Sequence, residues 1–263
     1  MNWDEMTAPE FVKAIDATKG VCILPLGSLE KHGDHIPIGT DNFLIRQKVI
    51  SAAKIEPVVV FPIVMFTENC EAKNNPGAIA IETNLYFQLL ESICDEIARN
   101  GFKKIILVTG HDGNRFFLRF FVQTILSKCK DYAVYFPERL LDPDVEEKTI
   151  ETKFDYHAGE SETSQLLYLH PELVKVNAIP AKPGKPLNRS KVPGIMVPVY
   201  WMADYPEHYA GDARRATSKK GKILVENVVK NLVEIIRKVK ADDVTLSLMQ
   251  EYKNKERMWR SKG

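Results

Sequence analysis

Short apolar runs rich in β-branched residues alternate along this chain with longer stretches whose apolar positions recur every three or four residues. That alternation narrows the fold more than any other feature. Val21–Leu26 is one such run and ends in Gly27-Ser28; Pro57–Ile63 is a second, bounded by prolines. Lys104–Thr109 is a third, ending at Gly110-His111, and Tyr132–Phe136 is a fourth. Each has the length and side-chain type of a buried strand. Between them the spacing predicts helices. Thr83 is placed to cap a helix from Leu85 to Arg99, with Leu85, Leu89, Leu90, Ile93 and Ile97 as its apolar stripe and Asn100-Gly101 as its stop. Phe116–Lys128, Glu160–Leu169 and the long Lys219–Val239 carry the same period. Strands apolar throughout, separated by helices, specify a layered α/β/α fold with a central, mostly parallel sheet. All 263 residues are assigned to one domain, 1–263, within the size an α/β unit reaches. Lys182–Met202, rich in Pro, Gly and Lys, is expected to be a loop with one short strand, placed to act as a lid. The basic tail from Glu251 is expected to be an exposed or intersubunit helix end.

Composition excludes several functions. Lys and Arg number 36 and Asp and Glu 35, a net charge of +1, so no global field favours nucleic acid or an anionic membrane as partner. No apolar run approaches the ~18 residues needed to cross a bilayer. Met1–Glu5 is acidic and lacks the apolar core of a signal peptide. Cys22, Cys70, Cys94 and Cys129 are far apart and form no CxxC pair, which argues for reduced, mostly buried thiols and against a cysteine zinc site. A soluble, cytoplasmic protein is the expectation. Neither a P-loop nor a GxGxxG turn follows a strand, which disfavours a nucleotide enzyme.

Three polar clusters remain, each directly after a strand or opening a helix, where ligands gather in parallel sheets. The first runs from Gly27 to His35 and on through Gly39-Thr40-Asp41. If this segment is extended, Glu30 and His32 share one face, since strand side chains alternate. Glu and His suit zinc, manganese or iron. Taken alone, a polar loop with an exposed Glu and a helix-capping Asp explains the cluster equally well. The second is Thr109–Asn114, with two glycines for a tight turn, Asn114 to cap a helix, and His111 as ligand or base. A turn carrying a hydrogen-bonded surface histidine is its plainer explanation. The third is Tyr156–Ser164, in which His157, Glu160 and Glu162 converge only if the chain turns sharply into a helix. Glutamates offsetting the macrodipole of a helix start account for one of the two. His170 and His208 lie outside the clusters and are taken as structural or surface residues.

The stretches GSLEKHGDHIPIGTD, TGHDGN and HAGESETS, with GDARRAT ahead of the last long helix, resemble the motifs of the creatininase family, in order and from about Gly27 to Val239. The resemblance implies a layered α/β fold, often hexameric, and a centre of two divalent metal ions, zinc, manganese or iron. By motif position Glu30 and His111 hold one ion, His32 the other, and Asp41 bridges both. His157 matches the catalytic histidine. Creatininase itself supplies a metal-binding Glu two residues after its motif histidine, where this chain has Gly113. The missing carboxylate is expected from Glu160, with Glu162 as the runner-up, assigned to orienting the catalytic histidines. Phe66–Ala78 keeps Pro76-Gly77 without the family's Gly- and His-containing lead, and Asp112 stands where Gly or Tyr is usual. Creatinine is therefore not carried over as substrate.

The implied activity is metal-dependent hydrolysis of a non-peptide C–N bond, of cyclic amide, amidine or formamide type, with His157 as proton donor to the leaving nitrogen. Two alternatives stand beside it: the same site acting on a keto-sugar or cyclitol derivative or a peptide fragment, and a non-catalytic metal-binding scaffold. The expected partners are a small-molecule substrate and further copies of the chain in a homo-oligomer, up to a hexamer.

Overall fold

The computed structural model describes residues 1–260. Four parallel strands, β1 Val21–Leu26, β2 Val59–Val60, β3 Lys104–Thr109 and β4 Ala133–Tyr135, form a sheet in the order β2-β1-β3-β4. The helices in chain order are α1 Ala8–Ala17, α2 Thr40–Ile55, α3 Thr83–Arg99, α4 Asn114–Ile125, α5 Pro143–Thr149, α6 Glu160–Leu169, α7 Tyr200–Asp204, α8 Ser218–Ala241 and α9 Thr245–Arg260. β1 and β3 pair along their whole length, from Val21 opposite Lys104 to Leu26 opposite Thr109. The Gly110 N–H then donates to the Leu26 carbonyl at 2.9 Å, which sets the turns after the two strands side by side.

Alternation along the central strands makes two cores. Cys22, Leu24, Leu26, Ile105 and Leu107 face α1, α3 and α4, while Val21, Ile23, Ile106 and Val108 face α2 and α8. A sheet covered on both sides explains why its strands read as unbroken apolar runs. β2 is only two residues long, although the apolar run spans seven. Pro57 and Pro62 bracket it, and proline cannot donate to a ladder.

Three local expectations need correction. Glu82, not Thr83, caps α3, its carboxylate accepting from the Leu85 N–H at 2.9 Å. Residues 182–202 contain no strand and run into α7. Cys22 and Cys94 are buried, but Cys70 and Cys129 are exposed. Among the described residues no helix is long and apolar enough to cross a membrane.

Candidate metal centre

Beyond the carboxyl ends of β1 and β3, Glu30 is the point on which the chain converges. His111 Nδ1 lies 2.8 Å from its Oε1, and His208 Nε2 lies 2.9 Å from its Oε2. His32 Nε2 and His157 Nδ1 are each 3.9 Å from Oε1. Asp41, in the first turn of α2, reaches His32 Nε2 with Oδ1 at 3.2 Å and His111 Nδ1 with Oδ2 at 3.5 Å. Glu162, on the first turn of α6, brings Oε2 to 3.8 Å from His32 Nε2. All of these residues except Glu162 are buried.

The hydrogen-bond partners assign the imidazole protons. The His32 Nδ1–H donates to the Glu30 carbonyl at 3.1 Å, and Nε2 faces Asp41 Oδ1 at 3.2 Å. The Trp201 indole, a donor only, gives its proton to His208 Nδ1 at 3.0 Å, so the His208 Nε2–H donates to Glu30. The His157 Nε2–H donates to the Lys31 carbonyl at 2.8 Å, leaving Nδ1 free. His157 and His208 arrive together because the Tyr156 and His157 N–H groups donate to the Ala210 carbonyl at 2.8 and 3.0 Å. The next residue, Ala158, adopts φ 54° and donates its N–H to Glu162 Oε2 at 2.6 Å. This left-handed residue is the sharp turn that lets His157 and Glu162 address one space.

Burial and mutual charge set the protonation. Burial alone would strip His32 of its proton, yet Asp41, then Glu162 and Glu30, push its pKa up to about 10. Burial likewise opposes the charge on His111, but Glu30, Asp41 and Glu71 hold it well above the usual range. Burial works against the Glu30 and Asp41 carboxylates, and the neighbouring histidines nonetheless hold both below their usual values. For His157, burial and the nearby His32 push the pKa down to about 3, so it is neutral. Burial raises Glu162 to about 7, against the pull of His32.

This donor set fits divalent cations. Three groups each place their donor atoms within 4.8 Å of one another: Glu30, Asp41 and His111; His32, Asp41 and Glu162; Glu30, His32 and His157. Glu30 Oε1 and Asp41 Oδ2 are buried and accept no well-aligned hydrogen bond, although His111 Nδ1 lies 2.8 and 3.5 Å from them, an arrangement that a cation would satisfy better. Carboxylates mixed with imidazoles suit zinc and manganese.

Of the residues singled out from sequence, Glu30, His32, Asp41, His111, His157 and Glu162 are brought together. Glu160 is not. Its carboxylate accepts from the Thr152 N–H at 2.8 Å, the Thr152 hydroxyl at 2.6 Å and the Glu151 N–H at 3.1 Å, and it pairs with Lys220. Positions i and i+2 of a helix do not share a face, so α6 can turn only one of its two glutamates to the cleft. The expectation that Glu160 supplies the missing carboxylate is corrected on that ground; Glu162 is the glutamate turned to the cleft. His208, expected to be structural or at the surface, is buried at Glu30 instead. Its only local signal was the neighbouring YAGDARRAT segment. Glu71, which is in none of the three polar clusters, lies with Oε1 3.2 Å from His111 Nε2. Asp34 is exposed and paired with Lys31, whereas His35 is buried with Nε2 2.8 Å from the Thr163 hydroxyl.

A family model described as creatinine amidohydrolase matches residues 4–236. The chain belongs to the creatininase family. It is 26% identical over 260 residues to the creatinine amidohydrolase of Pseudomonas putida, covering 89% of this chain and 95% of that protein. It is 28% identical to the mycofactocin precursor peptide peptidase of Mycolicibacterium smegmatis, covering 84% and 85%. With the 3-dehydro-scyllo-inosose hydrolase of Thermotoga maritima it shares 27% identity, covering 82% and 76%. A crystal structure of creatinine amidohydrolase superposes with a TM-score of 0.79 at 22% identity, covering 92% of this chain and 98% of the other, a likeness of fold. Solved creatininases of similar fold include one described as Zn-Zn type and one as Mn. In this creatininase-family amidohydrolase Glu30, Asp41, His111, His157 and Glu162 line a cleft of about 250 Å³, together with the aromatic rings of Phe116, Tyr156, Tyr200 and Trp201.

Proposed function

We propose that the chain hydrolyses a C–N bond of a small amide-type molecule at a pair of divalent cations. The observation that carries this reading is the convergence of Glu30, His32, Asp41, His111 and Glu162, with two buried carboxylate oxygens among them that accept no well-aligned hydrogen bond. Glu30 and His111 would hold one cation, and His32 and Glu162 the other. Asp41 stands between them, since Oδ1 faces His32 and Oδ2 faces His111. Such cations, when bound, lower the pKa of a coordinated water toward neutrality and polarise a carbonyl oxygen.

The chain's own residues then manage the proton. Water adds across the C–N bond, its oxygen to the carbonyl carbon and one proton to the departing nitrogen. His157 is placed for that transfer, because it has Nε2 tied to the Lys31 carbonyl and presents Nδ1 to the site. A proton taken at Nδ1 is returned to the leaving nitrogen. His208 keeps Glu30 in place, and the aromatic wall holds the substrate against the donor set. A cleft of about 250 Å³ accepts a molecule or terminal group of small size.

The same machinery acting on a cyclitol ketone or a peptide fragment is the second reading. Relatives named for those reactions are as similar to this chain, at 27% and 28% identity, as the creatinine enzyme at 26%. Metal analysis followed by a screen of cyclic amides, formamides, cyclitol ketones and short peptides separates the two. Asp41→Ala should lose both bound metal and turnover; full retention of metal would refute its bridging place.

A further inference from the structure

We propose that Glu71 is a positioning residue that fixes the imidazole of His111, and that Gly113 is what lets it reach. The inference rests on the cation reading above. His111 Nδ1 points at Glu30 Oε1 and Asp41 Oδ2, at 2.8 and 3.5 Å. That nitrogen must be free of its proton to bind a cation, which leaves the ring's remaining proton on Nε2. Glu71 Oε1 stands 3.2 Å from Nε2, at hydrogen-bond length though off the ideal axis.

Glu71 does not reach this place by chance of a loose loop. It sits on a single 3-10 turn, Cys70–Ala72, whose Ala72 is fully buried. The preceding residues are pinned to the segment that carries Glu30. The Thr67 hydroxyl donates to the Gly27 carbonyl at 3.0 Å, and the Asn69 amide donates to Ser28 Oγ at 2.8 Å and to the Leu29 carbonyl at 3.3 Å. Glu71 and Glu30 therefore hang from one rigid junction and bracket His111 from opposite ring nitrogens. Position 113 completes the fit. A Cβ there would lie 2.2 Å from Glu71 Oε1 and 2.4 Å from His111 Nε2, so any residue but glycine would displace the pair. A carboxylate at the far nitrogen of a ligating histidine holds the ring's tautomer and angle, and its loss costs about 10–100-fold in metal affinity.

Calorimetric titration of zinc and of manganese into metal-stripped protein tests this, with thermal unfolding of each stripped protein as the folding check. Glu71→Ala should bind about 10–100-fold more weakly while unfolding at the wild-type temperature. Glu71→Gln, whose amide oxygen still accepts from Nε2–H, should stay within a few-fold of wild type. Gly113→Ala should reproduce the alanine loss. Unchanged affinity in Glu71→Ala overturns the proposal, as does Glu71→Gln binding as weakly as Glu71→Ala; both leave the cation reading standing. A wild-type protein that takes up neither metal sinks the cation reading and this inference with it.

Discussion

Replacing Gly221 by alanine tests how α6, the helix that carries Glu162, is held in place. Gly221 lies near the start of α8, where a Cβ would sit 1.8 Å from the Ser164 carbonyl oxygen and 2.9 Å from the Gln165 nitrogen. Ordinary C···O contact begins at about 3.3 Å. The two helices would have to part by roughly 1.5 Å, the difference between that contact and the built position. In an isolated helix alanine would instead stabilise by up to about 1 kcal/mol. Overpacking costs about 1–3 kcal/mol, and the upper end applies because the obstacle is backbone on both sides rather than a side chain that can swing away. The net expectation is a loss of about 2 kcal/mol, which for a chain of this size lowers Tm by roughly 4–8 °C. Scanning calorimetry reads it directly. Divalent-cation affinity should fall as well, since moving α6 carries Glu162 away from its 3.8 Å approach to His32. A variant as stable as wild type, or more so, would show that helix propensity outweighs the contact and that the packing is looser than the geometry says.

Three further outcomes are expected. His157→Ala should keep its cations by metal analysis while kcat drops about 10²–10⁴-fold; an unchanged kcat removes it from proton transfer. His32 and His111 are both protonated at neutral pH before a cation binds. Loading should therefore release protons at pH 7, that of His32 among them, seen as buffer-dependent calorimetric heats whose His32 part diminishes as the pH passes about 10; identical heats in all buffers would contradict this. Burial, with His32 nearby, lowers His35 to about 4, so the folded state binds fewer protons than the unfolded chain between about 4 and 6.5. Its contribution is present above that window and is lost as pH falls through it. His35→Asn should flatten that part of a denaturant-midpoint profile against pH, and a profile parallel to wild type would refute the assignment.

The sheet centre was legible because a strand buried on both faces carries one unmixed signal: β1 and β3 begin and end where their apolar runs do. The helix α2 was not, although it carries Asp41, because it buries Thr40 and Asp41 beside Leu44, Ile45 and Val49 and has no clean apolar stripe. Local sequence grouped Glu30, His32 and Asp41 and marked His111 and His157. It favoured Glu160 over Glu162, whereas Glu162 faces the cleft, since that outcome depends on where the left-handed turn at Ala158 starts the helix. His208 meets Glu30 from 178 positions away through a backbone ribbon at Ala210, and no local pattern encodes such a contact. Glu71 was hidden for the same reason: its relation to Gly113 is spatial.

The residues of this centre are spread along the chain. Glu30, His32, Asp41 and His111 all lie in the first 111 positions, whereas His157, Glu162 and then His208 come much later. Neither proposed cation position is thus complete until most of the chain exists, because Glu162 belongs to one and His208 holds Glu30 of the other. A domain that folds as a unit assembles such a centre only at the end, so the centre reports on the finished fold rather than on any N-terminal part of it.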